Sequence, residues 1–570
     1  MLRNKTASQH NFATIPHADV PRSKFRMRQT RKQAFDASDL IPIMCEEVLP
    51  GDTWQHNEAI LARLATPIAP ALDDLALETF YFFVPNRLSY PEINKSLETR
   101  HGWEAFISGV PSTALPILTP EEQAGPAYPV DVGMLADHFG LPTGDHTVQW
   151  GFTSAPFIAY FLIWNEWFRD QNLQAPWDLQ IVQEAIGFVS WDEITRASGT
   201  PTEWDGMPLR ANKRHDYFTS SLPFAQKGAD VMLPLGSTAT VYTNATPLIS
   251  TPQPAMQMAN TASGSPTGPG YMTTSTISGF ATSDLDGGLA ADNTIFPSNL
   301  YADLSSATSA TINQIRLAVT TQQLLEKDAR GGSRYVEQLL VHFGVRSPDF
   351  RLQRPEYLGG SKIAITVNPI AQTAAYDAEP GPDTSAIGNL GAEMHASGSN
   401  STFTYGATEH GYIIGLCTVR STPTYQQGIR RHWGSVRQSR LGYYFPVFAN
   451  LGEQAVNTTE IFFPIDTTPV VPTWGYQERW AEYRYTPNEI TGHLRSTSPT
   501  PMDWWHYAEE FVAEPALNAD FITDKTKETL SRSLATLPTQ WSAQIIMDVL
   551  HDSKVARLMP TYSIPGITRF

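Results

Sequence analysis

Between Phe35 and Val84 the chain alternates short runs of β-branched and aromatic residues with proline and glycine turns, and this constrains the fold more than any other feature. "FDASDLIPIMCEEVLPGDTW" predicts a strand over Leu40–Val48, bent at Pro42 and closed by Pro50-Gly51-Asp52. "LALETFYFFVP" predicts another, ended by Pro85. Proline cannot donate to a strand ladder, so a proline inside such a run points to an edge strand or a bend. Further short strands are expected at Tyr412–Ser421 and Tyr443–Gly452. Many short strands joined by long Pro/Gly-rich connections argue against a βαβ order and for an all-β sandwich or jelly roll. With 41% hydrophobic residues in 570, the chain can bury a large core, which excludes global disorder.

Helices enter as insertions. "APFIAYFLIWNEWFRDQNL" (Ala155–Leu173) is apolar nearly all round in its first half and predicts a buried helix. "TINQIRLAVTTQQLLEKDARGG" (Thr311–Gly332) spaces Ile312, Ile315, Val319 and Leu324 at helical intervals, with Lys327 and Arg330 at the negative end. Between these lies Gly228–Ile315, 88 residues without Lys or Arg and rich in Ser, Thr, Gly and Pro. Its five aromatic anchors, Tyr242, Tyr271, Phe280, Phe296 and Tyr301, predict an exposed insertion with some β structure. "TSAIGNLGAEMHASGSNSTF" (Thr384–Phe403) has a similar composition and is expected to be a surface loop.

Charge is unevenly distributed. Residues 1–35 hold eight Lys or Arg against Asp19 alone, so a +7 arm precedes a body of −24 in a chain of net −17. Such an arm suits nucleic acid or another anion: cations neutralise phosphates, and Phe25 and Phe35 offer flat faces for bases. Read as an arm, residues 1–32 should be removable with more harm to DNA retention than to the fold. A second cluster, "RRHWGSVRQSR" (Arg430–Arg440), mixes arginines with His432 and Trp433, and suits either phosphate and base contact or an ion-pair strip between subunits.

The search for catalysis finds no phosphate loop, dinucleotide fingerprint, HExxH or GxSxG motif. Glu409-His410, and Glu509 and Glu510 near His506, are ordinary neighbours that surface or satisfied core groups also produce. Cys45 and Cys417 are too few and too distant for a disulfide framework or a zinc site. No secretory leader opens the chain, and "FIAYFLIW" is too short to span a bilayer, so a soluble chain without membrane insertion is expected. No cofactor or metal is called for.

Nine ordered blocks resemble one known family: "RSKFRMRQTRKQAFDASDLIPIMCEEVLPGDTW", "ARLATPIAPALDDLALETFYFFVPNRL", "WNEWFRDQNL", "HDYFTSSLPFAQKG", "LLEKDARGGSRYVE", "SPDFRLQRPEYLGGS", "TEHGYIIGLCTVRSTPTYQQG", "YYFPVFANLGEQAV" and "GYQERWAEYRY". Together they are similar to the major capsid proteins of microviruses, particularly the gokushovirus branch. The resemblance runs from about Arg22 to the C-terminal "YSIPGITRF". It implies a viral eight-stranded jelly roll, a β-sandwich with long loop insertions containing a few helices. Copies would assemble into a small T=1 icosahedral shell around circular single-stranded DNA, built in the bacterial host cytoplasm and carried in the virion. The implied organisation is a basic arm (1–35), a first jelly-roll part with helical insertions (36–227), a surface protrusion at the three-fold axes (228–315) and the rest of the jelly roll (316–570). The protrusion would meet a host surface receptor, and scaffolding or minor virion proteins are further partners.

Packaged DNA is then the leading expected partner of the basic segments, the competing assignment for Arg22–Lys32 being an arm that clamps a neighbouring subunit. The DNA-contact candidates are Arg22, Lys24, Phe25, Arg26, Arg28, Arg31 and Lys32, with Arg430, Arg431, Trp433, Arg437 and Arg440 in the second cluster. For Trp541–Pro560, periodicity allows a helix and family position favours a strand. The alternative from another class is a soluble carbohydrate-binding or carbohydrate-active β-sandwich, motivated by 14 Trp and 21 Tyr. A non-assembling DNA-binding protein fits poorly with a body of −24.

Overall fold

The computed structural model describes residues 21–91, 128–146, 151–184, 188–196, 202–229, 312–331, 335–344, 353–373, 390–464, 472–535 and 543–562, with short pieces between them. Residues 1–20 and most of 228–311 lie outside the described residues, as do the expectations placed on them. Two compact units make up the chain: Gln226–Asp328, and the residues on either side of it.

The larger unit is built on nine strands: β1 (Arg22–Phe35), β2 (Ile41–Val48), β3 (Thr53–Leu64), β4 (Leu75–Pro85), β5 (Glu356–Ala364), β6 (Thr366–Ala371), β7 (Leu390–Gly406), β8 (Gly411–Ser421) and β9 (Ile545–Leu558). They form a five-stranded sheet, β1-β9-β3-β7-β6, and a four-stranded sheet, β2-β8-β4-β5. Every neighbouring pair is antiparallel. From β1 to β4 the chain changes sheet at each turn, and one core shared by both sheets includes Trp54, Ile60, Leu77, Tyr81, Met394, Ile413 and Val549.

The strands differ in how many of their faces are buried. Along β3 the alternation is strict: Trp54, His56, Glu58, Ile60, Ala62 and Leu64 are buried, while Gln55, Leu61 and Arg63 face out. In β4 every residue but Phe80 is buried, because its second face is also covered. The cover is the insertion after β4, centred on α1 (Ala155–Ile163) and the π-helical turn Trp164–Phe168 that continues it. Phe157, Tyr160 and Phe161 join Phe82, Val84, Ile414 and Leu416 in a second core. Each such side chain contributes about 1.5–3 kcal/mol on burial. Tyr160 resolves its polarity there by donating to the Leu40 carbonyl at 2.9 Å and accepting from the Leu209 amide at 2.8 Å.

Several expectations meet the structure directly. The predicted strand at Leu40–Val48 is β2, an edge strand with a register shift between Pro42 and Met44, where the missing amide breaks the ladder. The buried helix is α1, and the 311–332 helix is α2 (Ile312–Arg330). The stretch around Trp541–Pro560 supplies β9, a strand, as family position favoured.

Three expectations need correction. Thr384–Phe403 is not a surface loop, because Leu390 onward is β7, with Ala392, Met394, Ala396 and Phe403 buried and Ser397, Ser399, Asn400 and Ser401 turned out. A Cβ on Gly398 would lie 2.7 Å from Ile363 Cδ1 of the facing sheet, so the small residues are the condition for close packing rather than a mark of a loop. Tyr443–Gly452 is not a strand: one 3-10 turn, Arg440–Gly442, ends just before it, and another, Pro446–Phe448, opened by Pro446, lies within it. The segment Arg22–Phe35 is not a loose arm: it pairs with β9 over its whole length, so removing residues 1–32 would strip a strand from the sheet.

The smaller unit contains three nested antiparallel pairs, Thr240–Thr243 with Leu300–Asp303, Met258–Asn260 with Ile295–Pro297, and Tyr271–Thr274 with Phe280–Ser283.

Candidate nucleic-acid interface

Period-two geometry sorts the β1 candidates into two sets. Arg22, Lys24, Arg26, Arg28 and Lys32 are exposed on the outer face of the five-stranded sheet, successive outward positions being about 7 Å apart. Phe25, Met27, Arg31, Gln33 and Phe35 lie on the opposite side of the strand, with Phe25 half-buried and Phe35 in the core. Arg31 therefore does not share the surface of its neighbours. It donates to the His138 carbonyl, and burial pulls its guanidinium below its ordinary range.

Pairing with β9 and β3 brings further charges to the outer face. Lys554 is opposite Arg26, Asp552 opposite Arg28, and Asp548 opposite Lys32. Arg26 donates from Nε to Asp552 Oδ1 at 2.8 Å, and this bond raises the guanidinium and holds the carboxyl down. Lys32 meets Asp548 Oδ2 at 2.6 Å, and Arg63 approaches Glu393 at 3.5 Å. The side chains of Arg26 and Lys32 keep 57% and 72% exposure, so these pairs are screened and contribute little to stability. Among the described residues no ion pair involves Lys24, Arg28 or Lys554. The face thus carries more cations than the carboxylates across from them can match. Lys554 and Arg63 escaped the sequence reading because they lie far away in the chain and only strand pairing brings them here.

The second cluster is spent differently. Arg431 is buried, donating to Glu460 Oε1 and to the Ala455 carbonyl, each at 2.8 Å. Burial raises Glu460 while Arg431 and the Tyr217 hydroxyl oppose that rise. Arg437 bonds Glu482 at 3.0 Å and lies 4.9 Å from the Tyr483 ring centroid. Arg430 pairs with Glu489, and Arg440 sits 5.1 Å over Phe445. Trp433 is the outlier at 77% exposure, touching the His432 ring with centroids 5.0 Å apart. Arg431 therefore neutralises a buried carboxylate and Arg437 a half-buried one, so two of the four arginines are engaged within the chain.

The acid–base neighbours also have structural roles. Glu409 accepts from Arg87 at 2.8 Å, Glu509 pairs with the buried Lys213 at 2.7 Å, and His506 Nε2 bonds the Leu494 carbonyl at 2.7 Å. Among the described residues no group of three or more His, Cys, Asp or Glu is placed to hold a metal ion, and no helix is long and apolar enough to cross a membrane.

Comparison with known proteins bears on what such a face meets. A family model described as capsid protein (F protein) matches residues 13–567. The chain is 39% identical over 569 residues to a capsid protein VP1 of Bdellovibrio phage phiMH2K, with 98% of each covered. It is 34% identical over 620 residues to a capsid protein VP1 of Chlamydia phage 1, again with 98% of each covered. Against a capsid protein VP1 of Spiroplasma virus 4 it is 34% identical over 578 residues, covering 99% of this chain and 98% of the relative.

Proposed function

The chain belongs to the F capsid protein family and is a structural, non-enzymatic component of a bacteriophage virion, and from that premise we propose that it forms a T=1 icosahedral shell around circular single-stranded DNA. The fold proposed for the subunit is an eight-stranded viral jelly roll. Its support is the strand order: β1, β9, β3 and β7 in one sheet, β2, β8, β4 and β5 in the other, with β6 as an added edge.

One observation carries the DNA assignment: the outer face of the five-stranded sheet is uncovered in the single chain and bears Arg22, Lys24, Arg26, Arg28, Lys32 and Lys554. In the shell this face looks inward. Phosphate contact from exposed, flexible cations needs no base sequence, as packaging of a whole genome requires. The acidic remainder of the chain avoids adsorbing nucleic acid elsewhere.

Binding of a labelled single-stranded oligonucleotide over a range of salt tests this. Removing three unpaired cations in K24Q/R28Q/K554Q should flatten the slope of log K against log salt by about 2, at roughly 0.7 per phosphate contact. Thermal unfolding should be unchanged. An unaltered slope would remove this face from DNA contact.

For host attachment the proposed element is the Gln226–Asp328 unit, supported by its compactness apart from the rest of the chain and by 88 residues without Lys or Arg. Particles in which residues 232–310 are replaced by a short linker should assemble and lose adsorption to host cells. Undiminished adsorption would assign attachment elsewhere.

A further inference from the structure

From Ile363 to Asp524 the chain has eight arginines and no lysine. A guanidinium is less strongly hydrated than an ammonium and stacks on aromatic rings, so this bias suits surfaces that lose water on contact. Most of the lining of a cleft of about 560 Å³ comes from this stretch, including Tyr425, Arg430, Trp433, Tyr483, Tyr485 and Arg495. Trp433, Tyr483 and Tyr485 are 77%, 57% and 53% exposed, a concentration of the residue types that dominate protein–protein contacts.

The charges of the cleft decide its partner class. Arg430, Arg431 and Arg437 are matched by Glu489, Glu460 and Glu482, which leaves Arg495 as the surplus cation of the lining. A polyanion gains little from one net charge. An apolar segment with a carboxylate or two fits better.

The chain itself exposes such a segment. In "EEFVAE" (Glu509–Glu514) Val512 is 100% exposed, and Glu510, Ala513 and Glu514 are exposed beside it. The loop is presented in a fixed pose, because Gln427 accepts from the Phe511 amide at 2.7 Å and donates to its carbonyl at 2.8 Å. Among the described residues no ion pair involves Glu510 or Glu514, and neither they nor Val512 line the cleft of their own chain.

We propose that Val512, flanked by Glu510 and Glu514, docks in the Trp433–Arg495 cleft of a second copy of this chain. The proposal rests on the shell reading above, since a shell needs specific contacts between copies. Val512 fills the aromatic floor, and Glu514 or Glu510 meets Arg495.

Disulfide trapping in the full chain tests the contact. V512C and W433C proteins, made separately, mixed in assembly conditions and mildly oxidised, should give a reducible dimer that neither gives alone. In sedimentation, R495E and the pair E510R/E514R should each weaken association about tenfold, and mixing the two should restore it. Oligomers that form without the V512C–W433C crosslink would overturn the contact and leave the shell reading standing. Chains that stay monomeric even with their viral partners would overturn both. Loss of oligonucleotide binding in R495E with association unchanged would reassign the cleft to nucleic acid.

Discussion

The two sheets of the larger unit share an inner core and differ in what covers their outer faces. On the four-stranded sheet, Phe82, Val84, Ile414 and Leu416 are sealed under α1 and its neighbours, and β4 is apolar almost throughout. The five-stranded sheet shows solvent an alternating surface with Leu61, Arg28, Lys24 and Lys554 exposed. A strand's composition therefore reports how many of its faces are covered. The face left open in one copy is the one proposed above to meet DNA.

The sharpest way to break this comparison is to place the same charge on both outer faces. Ile414→Lys puts an unpaired ammonium beneath the insertion and should cost at least about 4 kcal/mol. Leu61→Lys, at 59% exposure, should stay within about 0.5 kcal/mol of the parent. Denaturant unfolding of the two proteins checks the contrast, and equal losses would mean the faces are not as different as described.

The shared inner face offers the next effect. Ser553 Oγ and His56 Nδ1 are 2.8 Å apart, His56 Nε2 lies 3.4 Å from His551 Nδ1, and His551 Nε2 is 3.0 Å from the Ile43 carbonyl. A carbonyl only accepts, so His551 carries a proton on Nε2; with both rings neutral, as burial favours, its Nδ1 takes a proton from His56 Nε2 and His56 Nδ1 takes one from Ser553. Burial, then the neighbouring His551, pulls His56 down to about 3, and burial pulls His551 down to about 4. Folded values below the ordinary one mean that stability is intact at neutral pH. It falls as pH drops through about 6.5, where the unfolded chain binds protons the folded one refuses, and levels off near the folded values. The slope is about 1.4 kcal/mol per pH unit for each ring. Unfolding measured from pH 7 to pH 4.5 should show a shallower decline in H56Q/H551Q than in the parent, and parallel curves would remove the pair from the acid response.

Gly398→Val probes the close approach of the sheets and should cost about 1–3 kcal/mol, because the added carbon meets Ile363. Thermal unfolding that stayed at the parental temperature would show that the sheets can part there freely. The smallest expected change is Asp552→Asn, which removes the partner of Arg26 on the open face. Stability should not move measurably, and single-strand affinity at fixed salt should rise. No rise would show that Arg26 was already available to DNA.

Legibility in the sequence tracked the strength of local signals. The apolar run of α1 and the Pro-bounded β2 and β4 are short-range patterns, and they appear where periodicity and turn chemistry placed them. β7 was hidden because its polar residues face out and its inward side is carried by only Ala392, Met394, Ala396 and Phe403 among Gly, Ser and Thr, which from composition alone looks like a loop. In the candidate site, Arg22, Lys24, Arg26, Arg28 and Lys32 were visible as charge. The diversion of Arg31 to the His138 carbonyl and of Arg431 to Glu460 was not, because each depends on a partner distant in the chain.

By itself the sequence determined the all-β character, the buried helical insertion, the charge contrast between residues 1–35 and the body, and a family resemblance running from about Arg22 onward. Those are set by residue type and spacing, which act over a few positions. Only the tertiary structure decided that the basic segment is a strand, since its pairing with β9 joins residues more than 500 positions apart. It also decided which cations face solvent, because period two fixes that two sets exist while the packed core selects which set is inside.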